Sequence, residues 1–124
     1  MKQINTENTA PAIGPYSHAV ITGNLLFTSG QIPADEEGNL EQGLVNQITQ
    51  VMKNLEAIAK AAGTDLSKTV KTTCFLADMG DFATFNEIYA TYFTGKPARS
   101  CVAVKTLPKN VLVEVEAIIE LYDC

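Results

Sequence analysis

The chain has 124 residues, enough for one domain with a two-layer core, yet short enough that a deep cavity would draw on a second subunit. Fourteen acidic against nine basic side chains give a net charge of −5, which argues against a general binder of phosphate backbones and disfavours nucleic acid as a partner. Residues 1–10 show no basic-then-apolar leader pattern and no apolar run reaches membrane-spanning length, so a cytoplasmic protein without a membrane partner is expected.

Residues 1–124 read as a single domain with no linker, repeat or low-complexity tract. After a Pro/Gly-rich lead at 10–15, two strand-like runs at 17–22 and 25–29 flank Gly23-Asn24, a pair suited to a tight hairpin turn. An acidic, glycine-containing loop follows at 34–39. Leu44, Ile48, Val51, Leu55, Ile58 and Ala62 then recur at three- and four-residue steps, which predicts a helix closed by Gly63.

Residues 70–77, rich in threonine and aliphatics, predict a strand. Phe82, Phe85, Ile88 or Tyr89, and Tyr92 mark a second amphipathic helix, opened by Asp78 or Asp81 and closed by Gly95. Two last strands, 100–105 and 111–121, are separated by Leu107-Pro108-Lys109-Asn110. Two helices cannot cover both faces of about five strands, so an α+β layer pair with one open sheet face is expected, and that face calls for a partner. Along the final strand Val111, Val113, Val115, Ala117, Ile119 and Leu121 point one way; Leu112, Glu114, Glu116, Ile118, Glu120 and Tyr122 point the other.

Cys74, Cys101 and Cys124 are widely spaced, with His18 the single histidine, so neither a disulfide framework nor a zinc site is indicated. Cys74 reads as a small buried hydrophobe. His18 reads as a surface or interface residue.

Arg99 is the single arginine. It lies in a proline-led strand, Pro97-Ala98-Arg99-Ser100-Cys101-Val102, and offers a planar, permanently charged fork for a carboxylate. An exposed or ion-paired arginine on an edge strand is the alternative. If the last two strands form a hairpin, Arg99 and one or both of Glu114 and Glu116 converge on one patch; a plain cross-strand ion pair is the other outcome.

Ile13-Gly14-Pro15-Tyr16-Ser17, Phe27-Thr28-Ser29-Gly30-Gln31-Ile32-Pro33, Asn54-Leu55-Glu56-Ala57-Ile58, Asp81-Phe82-Ala83-Thr84-Phe85-Asn86-Glu87-Ile88-Tyr89, Pro97-Ala98-Arg99-Ser100-Cys101-Val102 and Leu107-Pro108-Lys109 with Val113-Glu114-Val115-Glu116-Ala117 occur in this order. In these segments, and from about residue 5 to 119, the chain resembles the RidA/YjgF family. The resemblance implies a chorismate-mutase-like subunit of the bacillus type: a mostly antiparallel sheet with two helices on one face, in a homotrimer with a central barrel-like core and sites in the clefts between subunits. It implies an imine deaminase, a hydrolase that converts 2-iminobutanoate and 2-iminopropanoate to 2-oxo acids and ammonia without metal or organic cofactor. Arg99 would grip the substrate carboxylate and Glu114 would activate water. Tyr16, Ser29, Gly30, Phe82, Asn86 and Cys101 match pocket positions. A 2-oxo-acid-binding or stress-interaction trimer, and less readily an endoribonuclease, are the alternatives. The sequence departs from the family pattern at Lys96, where an aromatic often precedes the proline, in a shorter segment at 92–96, and at His18, where glutamine is common.

Overall fold

A computed structural model describes residues 1–122; Cys124 lies outside the described residues. Six strands and two helices follow one another as β1 (Lys2–Ile4), β2 (Ala19–Thr22), β3 (Leu25–Thr28), α1 (Leu44–Ala61), β4 (Thr69–Leu76), α2 (Phe82–Tyr92), β5 (Ala98–Ala103) and β6 (Val113–Glu120). The sheet order is β1-β2-β3-β6-β4-β5. Every pairing is antiparallel except β4 with β5. No helix among the described residues is long and apolar enough to cross a membrane.

The β2–β3 hairpin forms as the Gly23-Asn24 pair predicts, with Thr22 opposite Leu25 and Gly23 at φ 57°. Helix α1 buries Ile48, Val51, Leu55 and Ile58 of the stripe read from the sequence, with Met52 and Ala59 beside them and Leu44 and Ala62 only partly buried at its ends, and each large buried side chain contributes about 1.5–3 kcal/mol. It stops where Gly63 takes φ 84° and its N–H bonds the Lys60 carbonyl at 3.0 Å. In β6 Val113, Val115, Ala117 and Ile119 are buried while Glu114 and Glu116 alternate away from the core. Leu26, Cys74 and Leu76 complete that sheet face, and α1 and α2 pack over it. The other face is uncovered and partly apolar: Val20 pairs with Phe27, Phe27 with Ile118, Glu114 with Phe75, and Phe75 with Val102.

Four expectations are corrected. The polar N-terminus contributes β1, which pairs Ile4 with Ala19 and so adds a sixth strand. β5 and β6 do not form a hairpin: the chain crosses over through α2, so β5 joins the sheet edge parallel to β4, and β6 enters between β3 and β4. Gly95 does not close α2, whose C-cap is Phe93; it is glycine because a Cβ there would meet the Ser67 carbonyl oxygen at 2.6 Å. His18 is not a surface residue but is 3% exposed.

Candidate functional site

Arg99 stands beside Thr72 of β4, and Cys101 beside Cys74. Thr72 and Cys74 are buried beneath the helices, so alternation directs Arg99 and Cys101 to the helix side as well. Arg99 Nη1 donates to Asn86 Oδ1 at 2.7 Å, and the guanidinium lies 4.8 Å from the Tyr89 ring centroid and 5.4 Å from that of Phe82. Phe82, Asn86 and Tyr89 share one side of α2 at steps of four and three residues. The Tyr89 ring is fixed by a 2.7 Å hydrogen bond between its hydroxyl and Thr72 Oγ1. Arg99 is thus steered by two ring faces and one amide, and among the described residues it has no carboxylate partner. It opens on a groove of about 430 Å³.

Glu114 is on the opposite side of the sheet. Its β4 neighbour is Phe75, and Val113 and Val115 on either side point into the core. The carboxylate lies over Gly30: a Cβ at position 30 would collide with Oε2 of Glu114 and come within 2.9 Å of its Cδ. Burial raises the Glu114 carboxyl above the usual carboxylate range, and the like charge of Glu116, two residues along the strand, adds to the rise. A raised carboxyl is a stronger base once ionised, which suits a group that takes a proton from water.

Gly30 also lines a cavity of about 280 Å³ with Tyr16, Gln31 and Ile32. Tyr16 is 53% exposed and its N–H donates to the Gly14 carbonyl at 2.9 Å, which holds the Gly-Pro turn. Ser29 Oγ donates to the Ser17 carbonyl at 2.6 Å, and its N–H bonds the His18 carbonyl at 2.8 Å. Ser29 therefore ties the Tyr16 turn to β3.

His18 secures the same turn from below. The Thr6 N–H donates to Nδ1 at 3.1 Å, leaving Nε2 to donate to the Ala10 carbonyl at 2.7 Å. With both ring nitrogens engaged by backbone, His18 is a pin for residues 5–18 rather than an acid or base.

Burial favours the neutral form of both thiols. Burial pushes Cys74 up to about 12. Burial also raises Cys101, with the neighbouring Arg99 charge only opposing it. Among the described residues no group of three or more His, Cys, Asp or Glu side chains could hold a metal ion.

The candidate residues thus form two groups. Arg99, Asn86, Phe82 and Cys101 meet on the helix side, while Glu114, Gly30, Tyr16 and Ser29 gather on the other. Sequence reasoning missed Tyr89, whose ring faces Arg99, although its place three residues after Asn86 was a signal. It also missed Asn54, a buried amide that donates to the Ile32 and Ala34 carbonyls at 3.2 and 2.9 Å and so fixes the chain beyond Gly30. Its signal was a polar residue inside the apolar stripe of α1.

The family model described as Endoribonuclease L-PSP matches residues 6–121. The RutC family protein y4sK of Sinorhizobium fredii is 52% identical over 124 residues, covering 98% of each chain. The 2-iminobutanoate/2-iminopropanoate deaminase of Escherichia coli is 47% identical over 122 residues, covering 94% of this chain and 95% of the relative. The crystal structure of Escherichia coli TdcF with bound serine superposes with a TM-score of 0.93 at 40% identity, covering 98% of this chain and all of the other.

Proposed function

The chain belongs to the YjgF/RidA family, and from that premise we propose that it is a 2-imino acid deaminase, hydrolysing 2-iminobutanoate and 2-iminopropanoate to 2-oxo acids and ammonia. The observation that carries this reading is Arg99: a guanidinium aimed by Asn86 and two aromatic rings, with no acidic partner among the described residues. A fork left unpaired in an acidic protein is a carboxylate receptor. The 47% identical deaminase and the TdcF structure with serine, an α-amino acid, point to the same ligand class.

In the proposed reaction Arg99 holds the substrate carboxylate, which places the adjacent iminium carbon. That carbon is already electrophilic, so one positioned water suffices. Glu114 takes a proton from the water as its oxygen adds to the carbon. Glu114 then returns that proton to the nitrogen of the carbinolamine, ammonia leaves, and the hydroxyl proton passes back to Glu114 as the carbonyl of the 2-oxo acid forms. Tyr16, Ser29, Gly30, Phe82, Asn86 and Cys101 line the pocket in this reading.

Because Arg99 and Glu114 occupy opposite sheet faces, we place the working site between subunits of a chorismate-mutase-like homotrimer, the open faces forming its barrel-like centre. The apolar row Val20, Phe27 and Ile118 favours such contact. Such imines arise from eliminations by pyridoxal-phosphate enzymes, so the cytoplasm is the proposed location. Ribonuclease action is disfavoured by the net charge of −5 and by a single histidine locked through both ring nitrogens.

The test is 2-oxobutanoate release from 2-iminobutanoate generated by a threonine dehydratase, with wild type and Arg99→Ala compared. Acceleration by wild type alone supports the reading. A folded wild type that binds 2-oxobutanoate without accelerating its release overturns it in favour of a binding protein.

A further inference from the structure

Lys96 shares the Arg99 groove. The walls there are Asn86, Tyr89, Phe93, Lys96, Pro97 and Arg99, and no lining residue is acidic, although the chain as a whole carries an excess of carboxylates. Two cations without a counter-charge at one small concavity describe a receptor for two anionic groups.

The position of Lys96 is set by its backbone. It takes φ 52°, a left-handed conformation unusual for a residue with a side chain. The turn is held by the Lys96 N–H donating to the Phe93 carbonyl at 3.4 Å, by Phe93 at 2% exposure, and by Gly95 pressed against the Ser67 carbonyl. Phe93 stacks on Tyr89, ring centroids 4.6 Å apart, and Tyr89 faces Arg99. The two cations are thus mounted on one continuous packed unit, Arg99 stacked and partly buried, Lys96 exposed at the rim with a flexible stem.

We propose that Lys96 makes this groove selective for dicarboxylic substrates, the 2-imino and 2-oxo acids derived from acidic amino acids, with the α-carboxylate on Arg99 and the distal carboxylate on Lys96. The proposal rests on the deaminase reading for turnover but not for binding. Lys96 acts as a point charge rather than a fork, so it tolerates chains of differing length. A lysine exposed to water adds modest affinity, about three- to fivefold, and the gain shrinks as salt rises.

The experiment is calorimetric titration of the full-length protein with 2-oxoglutarate and with 2-oxobutanoate at low and high salt, for wild type, Lys96→Gln, Lys96→Arg and Arg99→Ala. The expected result is about three- to fivefold tighter binding of 2-oxoglutarate by wild type and by Lys96→Arg, with the ratio falling to near one in Lys96→Gln and at high salt. Equal affinities in wild type, or a preference that survives Lys96→Gln, overturn the proposal. Turnover of 2-iminobutanoate and of 2-iminosuccinate generated in situ separates the two readings. No acceleration of either imine, with the binding preference intact, removes the deaminase and keeps the dicarboxylate site; turnover of 2-iminobutanoate with no dicarboxylate preference does the reverse.

Discussion

Arg99 and Glu114 stand on opposite faces of one sheet, two strands apart: β5 turns the arginine toward α2, β6 turns the glutamate away from it, and β4 runs between them. No rotamer change within one protomer carries either charge through a sheet whose intervening positions, Thr72, Cys74 and Val115, are fully buried.

A site that needs both residues must therefore take them from different protomers. Arg99→Ala and Glu114→Gln are each expected to keep no more than roughly a few per cent of activity alone, yet to regain about a quarter of wild-type activity when unfolded together in equal amounts and refolded as mixed copies of the proposed trimer. Failure of mixed, folded trimers to regain activity would show that the site does not combine these residues across an interface.

Arg99→Lys is expected to lose nearly as much as Arg99→Ala. Lysine keeps the charge but loses the planar fork that stacks on Tyr89 and Phe82 and bonds Asn86. The loss is about 2–3 kcal/mol of transition-state binding, or roughly 30- to 150-fold in kcat/KM. Kinetics of Arg99→Lys within threefold of wild type would refute a bidentate role.

Glu114→Gln is expected to lower kcat by about 10²- to 10⁴-fold while binding of 2-oxobutanoate persists. Because the Glu114 carboxyl is raised by burial and by Glu116, activity should rise with pH through a limb above the ordinary carboxylate range. Glu116→Gln removes the like charge and is expected to move that limb to lower pH. The stability sign is opposite: a raised folded-state carboxyl binds more protons folded than unfolded, so its contribution to stability falls as pH rises through the same window. A limb that Glu116→Gln leaves in place would assign it to another group.

Gly30→Ala tests the Glu114 geometry from the other partner. The added methyl occupies the space of the carboxylate and displaces it, so kcat should fall at least tenfold with the fold and its melting temperature largely retained. Full activity would mean the glutamate need not sit over residue 30.

His18→Ala leaves the Thr6 N–H and the Ala10 carbonyl without their buried partner and is expected to cost about 1–3 kcal/mol in denaturant unfolding. Unchanged stability would contradict its role as a pin.

The sequence carried the local rules well. The period of α1, the Gly23-Asn24 turn and the alternation of β6 each depend on neighbours within a few residues, and each is found where those rules predict. What escaped was pairing at a distance. Nothing in residues 98–103 says that they join β4 in parallel rather than β6 as a hairpin; the crossover through α2 decides that. The same gap affected the site: Arg99 and Glu114 were recognisable as residues, while their separation depends on which strand lies between them. β1 escaped because three residues with one buried side chain, Ile4, leave no readable period. His18 escaped because its partners are backbone groups eight and twelve residues away.

The place of β6 has a consequence for how the chain assembles. β6, the sixth strand in chain order, is a central rib of the sheet, joining the hairpin of β2 and β3 on one side to β4 and β5 on the other, with Leu25 opposite Glu120. Without Val113 to Glu120, the two halves have no strand in common and their edges stand open to other chains. A fragment ending before β6 therefore presents two unjoined half-sheets with open edges, and such edges are templates for pairing with other chains.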